Sequence, residues 1–207
     1  MDDERLLDLF PLPLVLLPGE TVPLHVFEER YKRMVEGVLD GGEFGVVLVD
    51  DDALVGAGCS ARVAEVVARH ADGSLDVLAQ GERRFVVREL VEPADPEREC
   101  LRARVGFFDD EGGEPPEALV RAVAREFREL LRLLDAAEPR LPPGEGPLSF
   151  RLAAALDVGP GTKQRLLETR REDERLEFLH RVFEWLRPRL ELRKRREDAI
   201  RGNGKGY

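Results

Sequence analysis

The sequence predicts an α+β fold: a mostly antiparallel β-domain to about residue 110, carrying one early helix, and a helical subdomain after it. Three observations carry the prediction. The apolar period changes from two to about three and a half near residue 110. Before that point, turn pairs such as Asp72-Gly73 separate valine-rich alternating runs. After it, two long stretches place apolar residues at three- and four-residue steps, which is one stripe of a helix.

The strand runs are 12–16, 43–50, 55–69, 75–80, 85–91 and 101–107. Leu101, Ala103, Val105 and Phe107, with Arg102 and Arg104 between them, show the alternation that a half-buried strand requires. Asp72-Gly73 joins two of these runs because a tight hairpin needs positive φ, which glycine adopts without steric cost. Asp40-Gly41-Gly42 and Asp50-Asp51-Asp52 punctuate the chain in the same way. The early helix is placed between His25 and Gly41, where Phe27, Tyr31, Met34, Val35 and Val38 recur at helical steps.

The chain divides into a β-rich unit at 1–110, an acidic linker rich in Gly and Pro at 111–118, a helical unit at 119–197 and a flexible tail at 198–207. Val120, Val123, Phe127, Leu130 and Leu134 form the first helical stripe, which the Pro139 to Pro147 cluster ends. Short helices at 148–156 and 162–168 flank the turn Gly159-Pro160-Gly161. Leu176, Leu179, Phe183, Leu186 and Leu190 repeat the stripe, with Phe178 and Trp185 beside it. Burying each Leu or Phe contributes roughly 1.5–3 kcal/mol, so the two seams can hold a small bundle together. They serve intramolecular pairing and dimerisation equally, which leaves the oligomeric state open. Past Glu191 the sequence is polar, and Gly202, Gly204 and Gly206 predict a frayed end.

The 207 residues carry a net charge of −10. Residues 187–205 hold eight cations against three anions, so the remainder carries −15. A body this acidic repels phosphate backbones and anionic membrane surfaces. The basic end reads as a solvated helix terminus in the field of its own dipole, or as a dock for an acidic partner. The amino terminus, Met1-Asp2-Asp3-Glu4-Arg5, is acidic where a secretory signal is basic, and no apolar run approaches the roughly 18 residues of a membrane span. Cys59 and Cys100 belong to no C-x-x-C pair and are expected as reduced thiols. A cytoplasmic protein with no membrane contact follows.

Catalytic candidates are few. Ser60, Ser74 and Ser149 lie in no G-x-S-x-G elbow, and His25, His70 and His180 are isolated in sequence, so neither nucleophilic catalysis nor a metal site is predicted. Gly159-Pro160-Gly161-Thr162-Lys163 lacks the Gly-Lys-Ser/Thr order of a phosphate loop. As a helix-hairpin-helix-like turn it would grip nucleic-acid backbone, the alternative function, which the acidic body and nearby Glu168 oppose. No cofactor is predicted.

The segment from Leu9 to Tyr31, LFPLPLVLLPGETVPLHVFEERY, strongly resembles the entry motif of the Lon protease amino-terminal, or substrate-binding, domain family. Val55-Gly56-Ala57-Gly58-Cys59-Ser60-Ala61-Arg62-Val63 is similar to that family's glycine-containing strand, and the stretch from Asp72 to Phe85 to its hairpin ending in a Gly-x-x-Arg-Phe element. Phe150 to Leu167 and the last helix resemble the helical part of stand-alone bacterial members lacking ATPase and protease domains, so the likeness spans about residues 9–190. It implies a PUA-like β pseudobarrel followed by a helical bundle, in a non-catalytic module that recognises polypeptides. The expected partner is a polypeptide substrate or another protein, with a protease acting in trans as one possibility.

The residues suggest a physical basis for such recognition. Pro11, Pro13, Pro18 and Pro23 lack N–H donors, so their stretches belong at edges or in extended loops, where Leu16 and Leu17 are expected to be hard to bury completely. An apolar strip at a sheet edge can hold an extended chain. Phe27 and Tyr31 divide between packing of the early helix and a contact surface. Phe107 and Phe108 are adjacent and cannot both point inward on a strand, so one is expected to line the cleft between the subdomains. Leu16, Leu17, Phe27, Tyr31, Phe107 and Phe108 are the candidate peptide-binding residues.

Overall fold

Alternation of apolar and polar residues builds six strands: β1 (Glu4–Leu12), β2 (Thr21–Val26), β3 (Phe44–Asp50), β4 (Ala53–Arg69), β5 (Leu75–Val91) and β6 (Arg102–Phe107). Helical periodicity builds α1 (Glu29–Val38), α2 (Glu117–Leu133), α3 (Leu148–Ala155), α4 (Pro160–Glu168) and α5 (Glu172–Asn203). The computed structural model describes residues 3–50, 53–96, 99–136, 140–144 and 146–203.

The strands form one mixed sheet in the order β2-β5-β4-β3-β1-β6. Only β1 and β3 pair in parallel; the other neighbours are antiparallel. A further pairing of β5 with β6 closes β5, β4, β3, β1 and β6 into a ring. The hairpin between β4 and β5 turns at Gly73, φ +82°, and Asp72 Oδ1 accepts from the Ser74 N–H and hydroxyl at 3.0 and 2.7 Å.

Two cores result. Leu7, Leu9, Val47, Phe85, Ala103, Val105 and Phe107 form the smaller. The larger joins Phe10, Tyr31 and Phe44 of the β-domain to Phe127, Phe150, Leu176 and Phe183 of the helices, so the two halves share one apolar interior. Helices α2 and α5 pair through the two predicted stripes, with Phe127 and Phe183 ring centroids 6.1 Å apart. Buried Glu126 of α2 accepts from Arg187 of α5 at 2.8 Å.

Four expectations need correction. The first strand is Glu4–Leu12, not 12–16. Charged Glu4, Arg5 and Asp8 hide its alternation, and the stretch after Leu12 leaves the sheet where proline removes the donors a ladder needs. Thr21–Val26 is a strand that periodicity did not separate from the helix; its Pro23 is tolerated because β2 is an edge paired only with β5. The runs 75–80 and 85–91 are one strand, continuous through Gly81. Helix α5 continues to Asn203, into the segment expected as a tail, while Gly204 and Gly206 lie outside the described residues, as do Asp51 and Asp52. Among the described residues, no helix is long and apolar enough to cross a membrane.

Candidate functional site

The six sequence-predicted residues do not form one surface. Leu16 and Leu17 are 1% and 0% exposed, contrary to expectation. Glu20 accepts the Leu17 N–H at 3.0 Å and folds the proline-rich loop back over β5, so both side chains enter the larger core. Gly81 makes this approach possible, because a Cβ there would stand 2.3 Å from the Leu17 carbonyl oxygen. Tyr31 is also core, stacked on Phe10 at 4.3 Å, and Phe107 packs in the smaller core. Phe27 lies before α1 and is 65% exposed.

Phe108 lines the cleft between the subdomains, a cavity of about 270 Å³ bounded by Pro18, Arg83 and Arg84 on one side and Pro147 and Phe150 on the other. Behind it runs a charged network that sequence reading missed. Arg175, fully buried on α5, donates to both oxygens of Asp110, to Glu172 at 2.8 Å, to the Ser149 hydroxyl at 2.9 Å and to the Thr169 carbonyl at 2.8 Å. Arg84 of β5 shares Asp110 and donates to the carbonyls of Leu167 and Thr169 at 3.0 and 2.7 Å. Burial pushes the Arg84 guanidinium down to about 10, with Asp110 opposing and Arg175 assisting. The guanidinium also lies over the Phe108 ring, 4.6 Å from its centroid. One arginine among several in a polar, helix-forming run gave no signal that it would be buried.

A second, larger hollow of about 500 Å³ lies between α4 and α5. Val158, Phe178, Val182, Trp185 and Leu186 supply its apolar surface, and Asp157, Arg165 and Arg181 its charge. Trp185 is 56% exposed, and the Arg189 guanidinium lies 3.4 Å from its ring centroid. Arg165 sits over Phe178 at 4.3 Å. Among the described residues Arg181 has no ion-pair partner. The flanking positions of Phe178 and Trp185 in the α5 stripe were the sequence signal for this face.

At the Gly159-Pro160-Gly161 turn, Gly159 has φ +78° and Pro160 begins α4. Lys163 is paired with Glu20, so its ammonium ties α4 to the β-domain and is not presented to a phosphate.

The histidines are not isolated in space. His25 of β2 faces Asp76 of β5 across the ladder, and His70 reaches the same carboxylate from the β4–β5 hairpin. The contacts are 2.6 Å from His25 Nδ1 and 2.7 Å from His70 Nε2, and they hold the Asp76 carboxyl below its ordinary range. The thiols are inert by comparison: burial pushes Cys59 up, and Cys100 up to about 11.

Comparison with known proteins places the whole arrangement. The family model described as ATP-dependent protease La (LON) substrate-binding domain matches residues 7–184. Lon protease 2 of Myxococcus xanthus is 29% identical over 220 residues, covering 97% of this chain and 26% of the relative. A Lon protease of Paraburkholderia phytofirmans is 30% identical over 191 residues, covering 82% and 23%. The chain thus spans about a quarter of the length of the curated relatives it matches. Among solved structures, a Lon N-terminal domain protein from Xanthomonas campestris is similar with a TM-score of 0.66 and 30% identity, covering 84% of this chain and 96% of that one. The N-terminal domain of a Mycobacterium avium complex Lon protease has a TM-score of 0.63 at 19% identity, covering 87% and 98%, a likeness of fold.

Proposed function

Because this chain belongs to the LON substrate-binding domain family, we propose that it is a non-catalytic recognition module that holds apolar segments of unfolded polypeptides, in the cytoplasm and in the service of a protease. The closed ring of strands is read as a PUA-like pseudobarrel and the four later helices as the bundle that carries the contact surface. The observation that supports the reading is the α4–α5 hollow, where an exposed tryptophan and an apolar floor meet two arginines and one aspartate, Arg181 having no ion-pair partner among the described residues. Its occupant is an extended polypeptide with apolar side chains next to a carboxylate, which the arginines would complement. The Phe108 cleft, and Phe27 on the opposite subdomain, are secondary contacts.

Trp185 is the only tryptophan, so its emission reports on the hollow directly. Titration with a reduced, carboxymethylated polypeptide is expected to shift that emission to the blue and to saturate, while the folded parent of the same polypeptide has no effect. Binding should persist at high salt, unlike phosphate-dominated binding. By anisotropy of a labelled polypeptide, Trp185→Ala is expected to weaken binding by about 2 kcal/mol, roughly 30-fold, the cost of losing an aromatic hot spot. Equal affinity of Trp185→Ala and the parent would remove the hollow from the mechanism.

A further inference from the structure

We propose that His25, His70 and Asp76 form a binding site for a borderline divalent metal ion of the zinc type, with three protein ligands and one open position. The strand pattern aims these side chains outward together. Leu75 and Val77 are each 1% exposed, so Asp76 between them points to the other face of β5. Leu24 and Val26 are buried, so His25 between them does the same on β2, where the register sets it opposite Asp76. His70 follows the last residue of β4, and the Asp72-Gly73-Ser74 turn folds it onto the same carboxylate. One candidate ligand atom from each of the three lies within 4.8 Å of the others.

A carboxylate only accepts hydrogen bonds, so the nitrogens facing Asp76 carry protons when no metal is present. With those protons on His25 Nε2 and His70 Nδ1 instead, the other tautomer of each ring, two lone pairs point at one carboxylate, His25 Nδ1 toward Oδ1 and His70 Nε2 toward Oδ2. Tetrahedral zinc with nitrogen ligands at about 2.0–2.1 Å wants donors about 3.3 Å apart, so each histidine nitrogen has to draw back from the carboxylate oxygen it meets at 2.6 or 2.7 Å, a movement that partly exposed side chains can make by rotation. Two imidazoles with one carboxylate suit zinc, nickel or copper and not magnesium or calcium, which take several oxygens. The exposed Phe27 ring stacks on His25 at 5.9 Å and gives the cluster an apolar neighbour. The proposal is independent of the α4–α5 hollow.

Untagged protein is titrated calorimetrically with zinc chloride in a non-chelating buffer, and histidine ring resonances are followed by NMR. One equivalent is expected to bind saturably, shifting the His25 and His70 signals and leaving His180 unmoved. His25→Gln, His70→Gln and Asp76→Asn should each weaken binding about tenfold or more, since even outer-shell changes cost that much. Circular dichroism of each variant confirms that the fold survives. Absence of saturable binding to the parent, or binding that survives in a His25→Gln/His70→Gln double variant, overturns the proposal.

Discussion

Replacing Arg175 by methionine tests what joins the two halves. The substitution keeps a long side chain but removes the cation at the centre of the network, leaving Asp110 and Glu172 to other donors. Removing one partner of a buried ion pair costs about 3–5 kcal/mol. Here the lower figure applies, because each acceptor keeps one bond. Asp110 retains Arg84, Glu172 retains the Ser149 N–H at 2.9 Å and hydroxyl, and the Thr169 carbonyl retains Arg84. A loss of about 3 kcal/mol is therefore expected, against a typical total of about 5–15 kcal/mol. In a chain of this length it lowers the melting temperature by roughly 6–12 °C. Asp110→Ala should cost more, since it leaves two buried guanidinium groups with Glu172 alone among the carboxylates of the network. Urea denaturation gives both numbers at unchanged m-value. A loss below about 1 kcal/mol for Arg175→Met, or a smaller loss for Asp110→Ala, would refute the reasoning.

Two further outcomes are expected. Gly81→Ala sets a Cβ 2.3 Å from the Leu17 carbonyl and should cost about 1–3 kcal/mol in the same assay; a change within about 0.5 kcal/mol would show that the loop gives way freely. Asp8 is raised by burial, only partly offset by Arg102 at 3.9 Å, so its ionised form weighs against the fold above its titration range and the penalty vanishes as pH falls through it. Asp8→Asn should therefore be more stable than the parent at about pH 7, with the gap closing by about pH 3; lower stability of the variant at both would contradict that sign.

What the sequence made legible is what periodicity encodes. The stripes of α2 and α5 and the alternation at the start of β5, where Leu75, Val77 and Ala79 are buried and the residues between them are less so, fall where counting puts them. Periodicity is silent where a residue's fate depends on distant chain. Leu16 and Leu17 are in an extended loop by every local criterion, yet they are core because Glu20 and Gly81 let the loop lie down on β5. His25 and His70 are far apart in the chain, and only the β2–β5 register and the hairpin reveal that they share Asp76. Arg175 reads as another charge in an arginine-rich helix until the chain brings Asp110 to it.

The same long-range contacts bear on the proposed recognition, because they anchor both walls of the α4–α5 hollow. Helix α4 is held to the β-domain by Lys163 on Glu20 and by Gln164, whose amide donates to the Ala57 carbonyl at 3.2 Å. Helix α5 is held by Arg175 at its first turn and by Phe183 and Arg187 against α2. The walls are also tied to each other, by Arg165 over Phe178 and by Arg175 on the Thr169 carbonyl that ends α4, so the hollow is framed by contacts made within this chain. A preformed site keeps more of its gross contact energy as affinity, which bears on the proposed function because an unfolded polypeptide would carry the ordering cost itself. Loosening the α5 anchor should therefore weaken the proposed polypeptide binding by widening the hollow, even though the polar partners of Arg175 lie outside its lining.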